Sequence, residues 1–247
     1  MNEQTKKKGE QSMKKLSIIA ASLVLLMAMT QCKEEELEAG GGGGSYGDHA
    51  YVDLGLPSGT LWATCNVGAT TPEGYGDYFA WGETQPKDTY NWITYAYATV
   101  DADGDLQTLT KYNTSAYYGT VDNLTVLQPG DDAATANWGS GWRMPTHEQW
   151  QELYQNTTNT WTTRNGVNGR LFTASNGNSL FLPAAGYRWD GELYFAGGLG
   201  LYWSSSLTTD SPGDAWLLGF LSDYTSVDSS GRYYGRSVRA VRSASQN

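Results

Sequence analysis

Carboxylates, hydroxyls and aromatic rings are the groups in this 247-residue chain whose spacing bears on chemistry. Asp101, Asp103 and Asp105 in DADGD put oxygen ligands at alternating positions, an arrangement calcium favours. No glutamate closes that loop at the spacing an EF-hand needs. Asp131 and Asp132 form a second acidic pair. Solvated loop acids are the preferred reading of both groups, and calcium is the one cofactor they point to. Ser204, Ser205 and Ser206 with His147 offer hydrolase side chains, but no Gly-x-Ser-x-Gly elbow surrounds them. His147 fits the first turn of a helix as a polar surface residue, and no residue is assigned a catalytic role.

The stretch from Tyr187 to Tyr234 is a stronger candidate. GYRWDGELYFAGG, TTDSPGDAW and SDYTSVDSSGRYYG interrupt strand-like runs with aromatic, acidic and small residues. Aromatic side chains with polar tips bind sugars by stacking and proteins by burial, at low entropic cost. Trp189, Tyr194, Tyr224, Tyr233 and Tyr234 flank turns and are the expected contact residues. Asp190, Glu192, Asp214, Asp223, Asp228 and Arg232 complete the expected ligand-binding set as hydrogen-bonding partners. Trp203 and Trp216 lie within strand-like runs and are expected in the core. Arg236, Arg239 and Arg242, spaced every third residue, are expected to hold the closing segment to the fold.

Several elements must position these groups. YVDLGLPSGTLWATCNVG predicts two short strands around a turn supplied by LPSG. The polar run DADGDLQTLTKYNTSAYYGTVDN reads as a surface insertion. PTHEQWQELYQN predicts the one clear helix, near 146–155. Thr146 is its N-cap, Gln149 completes a capping box, and Trp150, Leu153 and Tyr154 form the apolar stripe. RLFTASNGNSLFLPAAG predicts a hairpin around Asn176-Gly177. LYWSSS, AWLLGFLS and RSVRAVR predict further strands, and SSGRYYG a turn or loop.

Composition bounds the function. The chain holds 10 Trp, 17 Tyr and 30 Gly, the ingredients of a loop-rich binder. Its formal charge is -10; residues 1–31 contribute +3, so the remainder stands near -13. An acidic chain without a basic cluster argues against nucleic-acid binding. Lys14 and Lys15 precede LSIIAASLVLLMAM, an apolar run of signal-peptide length, with Met13 as the expected start. Residues 1–31 are therefore expected to be a signal peptide, 32–45 an acidic and glycine-rich flexible tether, and 46–247 one binding domain. With Cys32 used for anchoring, Cys65 is expected to be a buried, inert thiol without a partner.

The N-terminus resembles a bacterial lipoprotein signal, in which Cys32 would become the lipidated first residue; Gln31 departs from the small residue usual before it. KEEELE resembles the signal that sends Bacteroidetes lipoproteins to the outer face of the outer membrane. YVDLGLPSGTLWATCNVGA, GDYFAWGET, DDAATANWGSGWRMPTHEQWQEL, LPAAGYR, YWSSS and GRSVRAVR resemble the Fibrobacter succinogenes major paralogous domain. That resemblance implies an α+β, C-type-lectin-like fold of antiparallel strands with paired N- and C-terminal strands, related to the formylglycine-generating-enzyme and diversity-protein branch. The active-site cysteine pair of the formylglycine-generating relatives is missing here, as is the calcium-dependent sugar signature of C-type lectins. The tail also resembles the variable end of proteins diversified by retroelements. The combined expectation is a lipid-anchored surface protein binding an extracellular glycan or protein. A structural or tip component of a surface assembly is the alternative, and an enzyme stands third.

Overall fold

The computed structural model describes residues 42–244, which belong to one compact unit. The expected signal peptide, Cys32 and residues 33–41 of the expected tether lie outside the described residues. Among the described residues no helix is long and apolar enough to cross a membrane. Two α-helices and fourteen strands are present there, and every pairing between named strands is antiparallel. The architecture is α+β with strand predominating.

The strands begin inside the glycine run expected to be a free tether. Gly43–Tyr46 is β1, and it pairs with His49–Asp53, β2. Glycine weakens a strand by roughly 0.5–1 kcal/mol relative to alanine. Here it permits close packing: a Cβ on Gly44 would stand 2.5 Å from the Tyr51 hydroxyl. The expected LPSG turn then leads to Thr60–Asn66, β3. Cys65 on β3 is 2 % exposed and disulfide-bonded, which corrects the unpaired thiol expected from the sequence.

Ala98–Val100, β4, just before the expected surface insertion, makes a small hairpin with Leu106–Leu109, β5, within it. The insertion is not wholly on the surface, because Tyr112 and Asn113 are fully buried. Helix α1, Ala133–Trp138, is followed by α2, His147–Asn156. The expected capping box opens α2: Thr146 Oγ1 accepts from the Gln149 amide at 3.3 Å, and Gln149 Oε1 accepts from the Thr146 amide at 3.0 Å. Trp150 and Leu153 are buried, whereas Tyr154 faces solvent at 40 % exposure and leaves the expected stripe.

Thr157–Arg164, β6, is a strand that polar composition concealed. Its threonines are β-branched and suit a pleated, half-buried surface. It pairs with Val167–Ala174, β7, which forms the expected Asn176-Gly177 hairpin with Ser179–Pro183, β8. Tyr187–Trp189, β9, and Glu192–Tyr194, β10, form a short hairpin. Gly200–Leu207, β11, Asp214–Phe220, β12, and Thr225–Gly231, β13, form a three-stranded sheet. β13 takes in part of the expected SSGRYYG loop. Arg239–Ser243, β14, ends the described chain and completes the sheet β1-β2-β3-β14. The last strand thus pairs with the third, and the first two strands extend that sheet outward.

Large rings fill the interior. Trp62, Trp81, Trp142, Trp150 and Trp203 are all at most 1 % exposed. Trp203 is in the core as expected, while Trp216 is only half-buried and stacks flat on His147 at 4.0 Å. His49 stacks in the same way on Trp138 at 3.8 Å. Burial holds the pKa of both histidines below 6.5, so each is packed in its neutral form. A depressed folded-state pKa contributes stability that is present above the unfolded value and lost as pH falls through the folded one. Urea midpoints are therefore expected to hold steady above pH 7 and to fall as pH drops below 6.5, before most carboxylates titrate. His49→Gln/His147→Gln should flatten that first decline.

Candidate ligand-binding face

The β9–β10 hairpin projects an aromatic face. Strand alternation sends Tyr187 and Trp189 to one side, opposite Tyr194 and Glu192 respectively across the ladder. Tyr187 stacks on Tyr194 at 5.6 Å, and Trp189 leans on Tyr194 at 5.9 Å. Phe195 stacks on Tyr187 at 6.1 Å, and Tyr234 meets Tyr187 edge-on at 5.5 Å. The ring series continues inward through Tyr233, 4.2 Å from Tyr234, to Trp92 at 4.8 Å from Tyr233. Trp189 is 41 % and Phe195 66 % exposed. Large apolar side chains at that exposure next to one another need a reason.

The backbone under this face is constrained. Asp190, at the hairpin turn, has φ 47°, which an aspartate tolerates. Phe195 has φ 54°, an uncommon state for a bulky residue. Its carbonyl accepts from the Gly198 and Leu199 amides, both at 3.0 Å, so the following turn holds Phe195 in place. Gly186 allows the turn to close, since a Cβ there would stand 2.8 Å from the Ala196 amide. The hairpin is also tied along β9 and at its turn: Arg188 and Gly235 exchange backbone bonds at 2.7 and 3.0 Å, and Asp190 and Tyr90 do so at 2.9 and 3.0 Å. Asn91 Nδ2 donates to Asp190 Oδ1 at 2.8 Å.

The expected binding set divides. Trp189, Asp190, Glu192, Tyr194, Tyr233 and Tyr234 come together at this face. Asp214 sits at its inner margin, opposite Gly231 in the ladder and accepting from Ser211 Oγ at 2.7 Å. Asp223 and Tyr224 do not belong, because they occupy the turn at the other end of the β12–β13 hairpin. The six steps of about 3.4 Å along β13 separate that end from the face by roughly 20 Å. Asp228 is exposed in the middle of β13 and is likewise outside.

Arg232 is the clearest correction. It is completely buried, and it donates to Tyr95 Oη at 2.8 Å, Pro212 O at 2.9 Å, and Tyr112 O and Lys111 O at 3.1 Å. Its guanidinium lies 4.9 Å from the Trp81 ring centre. This is a clamp inside the fold, out of a ligand's reach. Conversely, sequence reading passed over Tyr187, Phe195 and Trp92. Tyr187 had a signal, two residues from Trp189 on a strand and hence on the same face. Phe195 and Trp92 had none.

The acidic candidates are committed to local structure. Asp101 Oδ1 accepts from the Asp103 and Asp105 amides, both at 3.0 Å. Asp131 accepts from Lys111, Tyr112 and Tyr97, and Asp132 caps α1 through the Thr135 amide at 2.9 Å while taking the Met144 amide at 2.8 Å. Among the described residues no three acidic, histidine or cysteine side chains gather as a metal site. Ser204, Ser205 and Ser206 are buried, and Ser206 Oγ accepts from the His147 backbone amide at 3.1 Å. Beneath the face lies Arg236, 3 % exposed, its Nη2 donating to Ser230 Oγ at 2.7 Å. Burial lowers its pKa to about 9, which leaves it cationic at neutral pH.

No protein family, curated protein or solved structure matches this chain.

Because Arg232 satisfies three buried carbonyls and a phenol, its loss strands acceptors that cost about 1–3 kcal/mol each. Arg232→Met is expected to lower unfolding free energy by about 3 kcal/mol or more, read from a urea midpoint. Tyr224→Ala should stay within about 0.5 kcal/mol of the parent; equal losses would return Tyr224 to the fold and Arg232 to the surface.

Proposed function

We propose that this protein is a surface lipoprotein, of C-type-lectin-like fold, that binds an extracellular glycan or protein through the β9–β10 face. The observation that supports this is the grouping of exposed Trp189 and left-handed Phe195 with Tyr187 and Tyr194, beside the carboxylates of Asp190 and Glu192. Rigid aromatic rings with polar neighbours supply contact area with little entropy to lose. Backbone strain beside such a cluster accords with a binding role. The fold reading leans on the resemblance of the ordered motifs, and the anchor on Cys32 and its flanks. Diversification of the tail is part of the same proposal: expected frame residues Trp203, Val238, Arg239 and Val241 are buried, whereas Trp189, Glu192 and Phe195 are open to change.

Screening the purified protein against glycan and extracellular-protein arrays is expected to return a ligand whose affinity falls about tenfold or more in Trp189→Ala/Phe195→Ala. Retained affinity in that variant would place binding elsewhere. The anchor has its own test. Protein extracted from outer membranes is expected to carry lipid on Cys32, read by mass spectrometry of the N-terminal peptide; a peptide whose Cys32 carries no lipid would remove the anchor.

A further inference from the structure

Charge is distributed unevenly between interior and surface. Five arginines, Arg170, Arg232, Arg236, Arg239 and Arg242, are at most 6 % exposed. Three further cations are paired: Lys87 with Glu83 at 2.8 Å, Arg164 with Glu73 at 2.5 Å, and Lys111 with Asp131. Arg143 donates to Gln149 Oε1 at 2.7 Å. Arg188 sits over the Tyr78 ring at 5.3 Å, on the opposite side of the β9 strand from Trp189. The acids have the reverse distribution. At the hairpin tip Asp190 and Glu192 are exposed, and so is Asp88, whose carbonyl lies 4.0 Å from the Cβ position of Gly191. The solvent surface is thus more anionic than the formal charge conveys, and the exposed Trp189 stands beside the acidic residues Asp190 and Glu192.

From this complementarity we propose that the occupant of the face is a cationic segment of a protein, one that bears arginine or lysine. The inference rests on the β9–β10 face being the binding site. A cation over an indole is attracted by the ring quadrupole, most strongly for Trp, at up to about 6 Å from the centroid. Trp189 and Glu192 are direct cross-strand partners, so one guanidinium can lie on the ring and reach the carboxylate. Asp190 is held toward the same tip by Asn91. An anionic chain would meet like charge at the tip, and a neutral sugar would donate hydroxyls to the carboxylates but leave their charge unmatched. Two charges of opposite sense lie nearby: Arg188, turned to the other side of β9 over Tyr78, and Arg236, at the Tyr234 end, 5.2 Å from that ring and under cover.

Titration of the detergent-solubilised full-length protein with tetra-arginine, cellotetraose and tetragalacturonate, followed by tryptophan fluorescence and calorimetry, tests this. Tetra-arginine is expected to bind, and to weaken about tenfold in Asp190→Asn/Glu192→Gln and in Trp189→Ala. Asparagine keeps the left-handed backbone at 190, so the double variant should retain the parent melting temperature. Affinity should also fall between about 50 and about 500 mM salt. Asp223→Asn/Asp228→Asn removes the same number of charges outside the face and should change affinity less than about twofold. An equal loss in that control variant would reduce the effect to bulk charge and overturn the proposal. Tetragalacturonate as the tighter ligand would overturn it in favour of Arg236. Cellotetraose binding that needs Trp189, without tetra-arginine binding, would overturn the cationic partner and leave the face as the binding site. Binding by none of the three would overturn it outright, and array ligands insensitive to Trp189→Ala/Phe195→Ala would remove the face as well.

Discussion

Everything in this fold is threaded onto the closing segment from Arg232 to Ser243. Its backbone bridges in turn to Phe79, Arg188, Tyr202 and Arg143 through Arg236, Gly235, Ser237 and Val241, and it then pairs with β3. Arg232, Arg236, Arg239 and Arg242 enter the interior from it, and Val238, Ala240 and Val241 are buried between them. Arg239 donates to Asn66 Oδ1 at 2.9 Å, to Ala63 O at 3.0 Å and to Thr64 O at 2.5 Å. Arg232 gathers carbonyls from 111, 112 and 212. A chain with many irregular connections has many buried carbonyls outside sheets and helices, and each must find a donor. Arginine, with five N–H groups on a rigid plane, satisfies several at once, and lysine would not.

Such burial is costly, since a cation leaves water for a medium of low polarity. Aromatic rings offset part of the cost: the Arg236 guanidinium lies 4.3 Å from the Trp203 centroid and that of Arg242 3.7 Å from the Tyr46 centroid. The same arrangement shapes the exterior. Cations used as internal fasteners cannot also neutralise the surface, so the acids dominate what a partner meets. Internal architecture and external electrostatics are two aspects of one choice about where arginine goes.

The candidate face depends on this core at one remove. β9 and β10 hold three residues each, too few to stand alone as a hairpin in water. They are ordered because Arg188 bonds to Gly235 of the closing segment and Asp190 to Tyr90. Tyr90 in turn is fully buried, donating from its hydroxyl to Tyr78 O at 2.6 Å. Exposed rings on a firmly tied support present a surface with little conformational freedom to lose on binding.

Local signals determined the elements whose information is local. The Thr146/Gln149 capping box, the Asn176-Gly177 hairpin, the strand runs around Trp203 and Val241, and the turn position of Trp189 and Asp190 were all legible in the sequence, because a cap, a turn or an alternating pattern is set by neighbours within a few residues. The tertiary structure alone decided the rest. It drew Gly43–Tyr46 into a sheet, made a strand of the threonines after α2, buried Tyr112 within a polar run, and sent Arg232 inside while Tyr224 stayed on a distant turn. Arg232 and Tyr233 are adjacent in sequence and equally plausible as contacts. Only the position of three carbonyls far away in the chain makes one a fastener and leaves the other at the face.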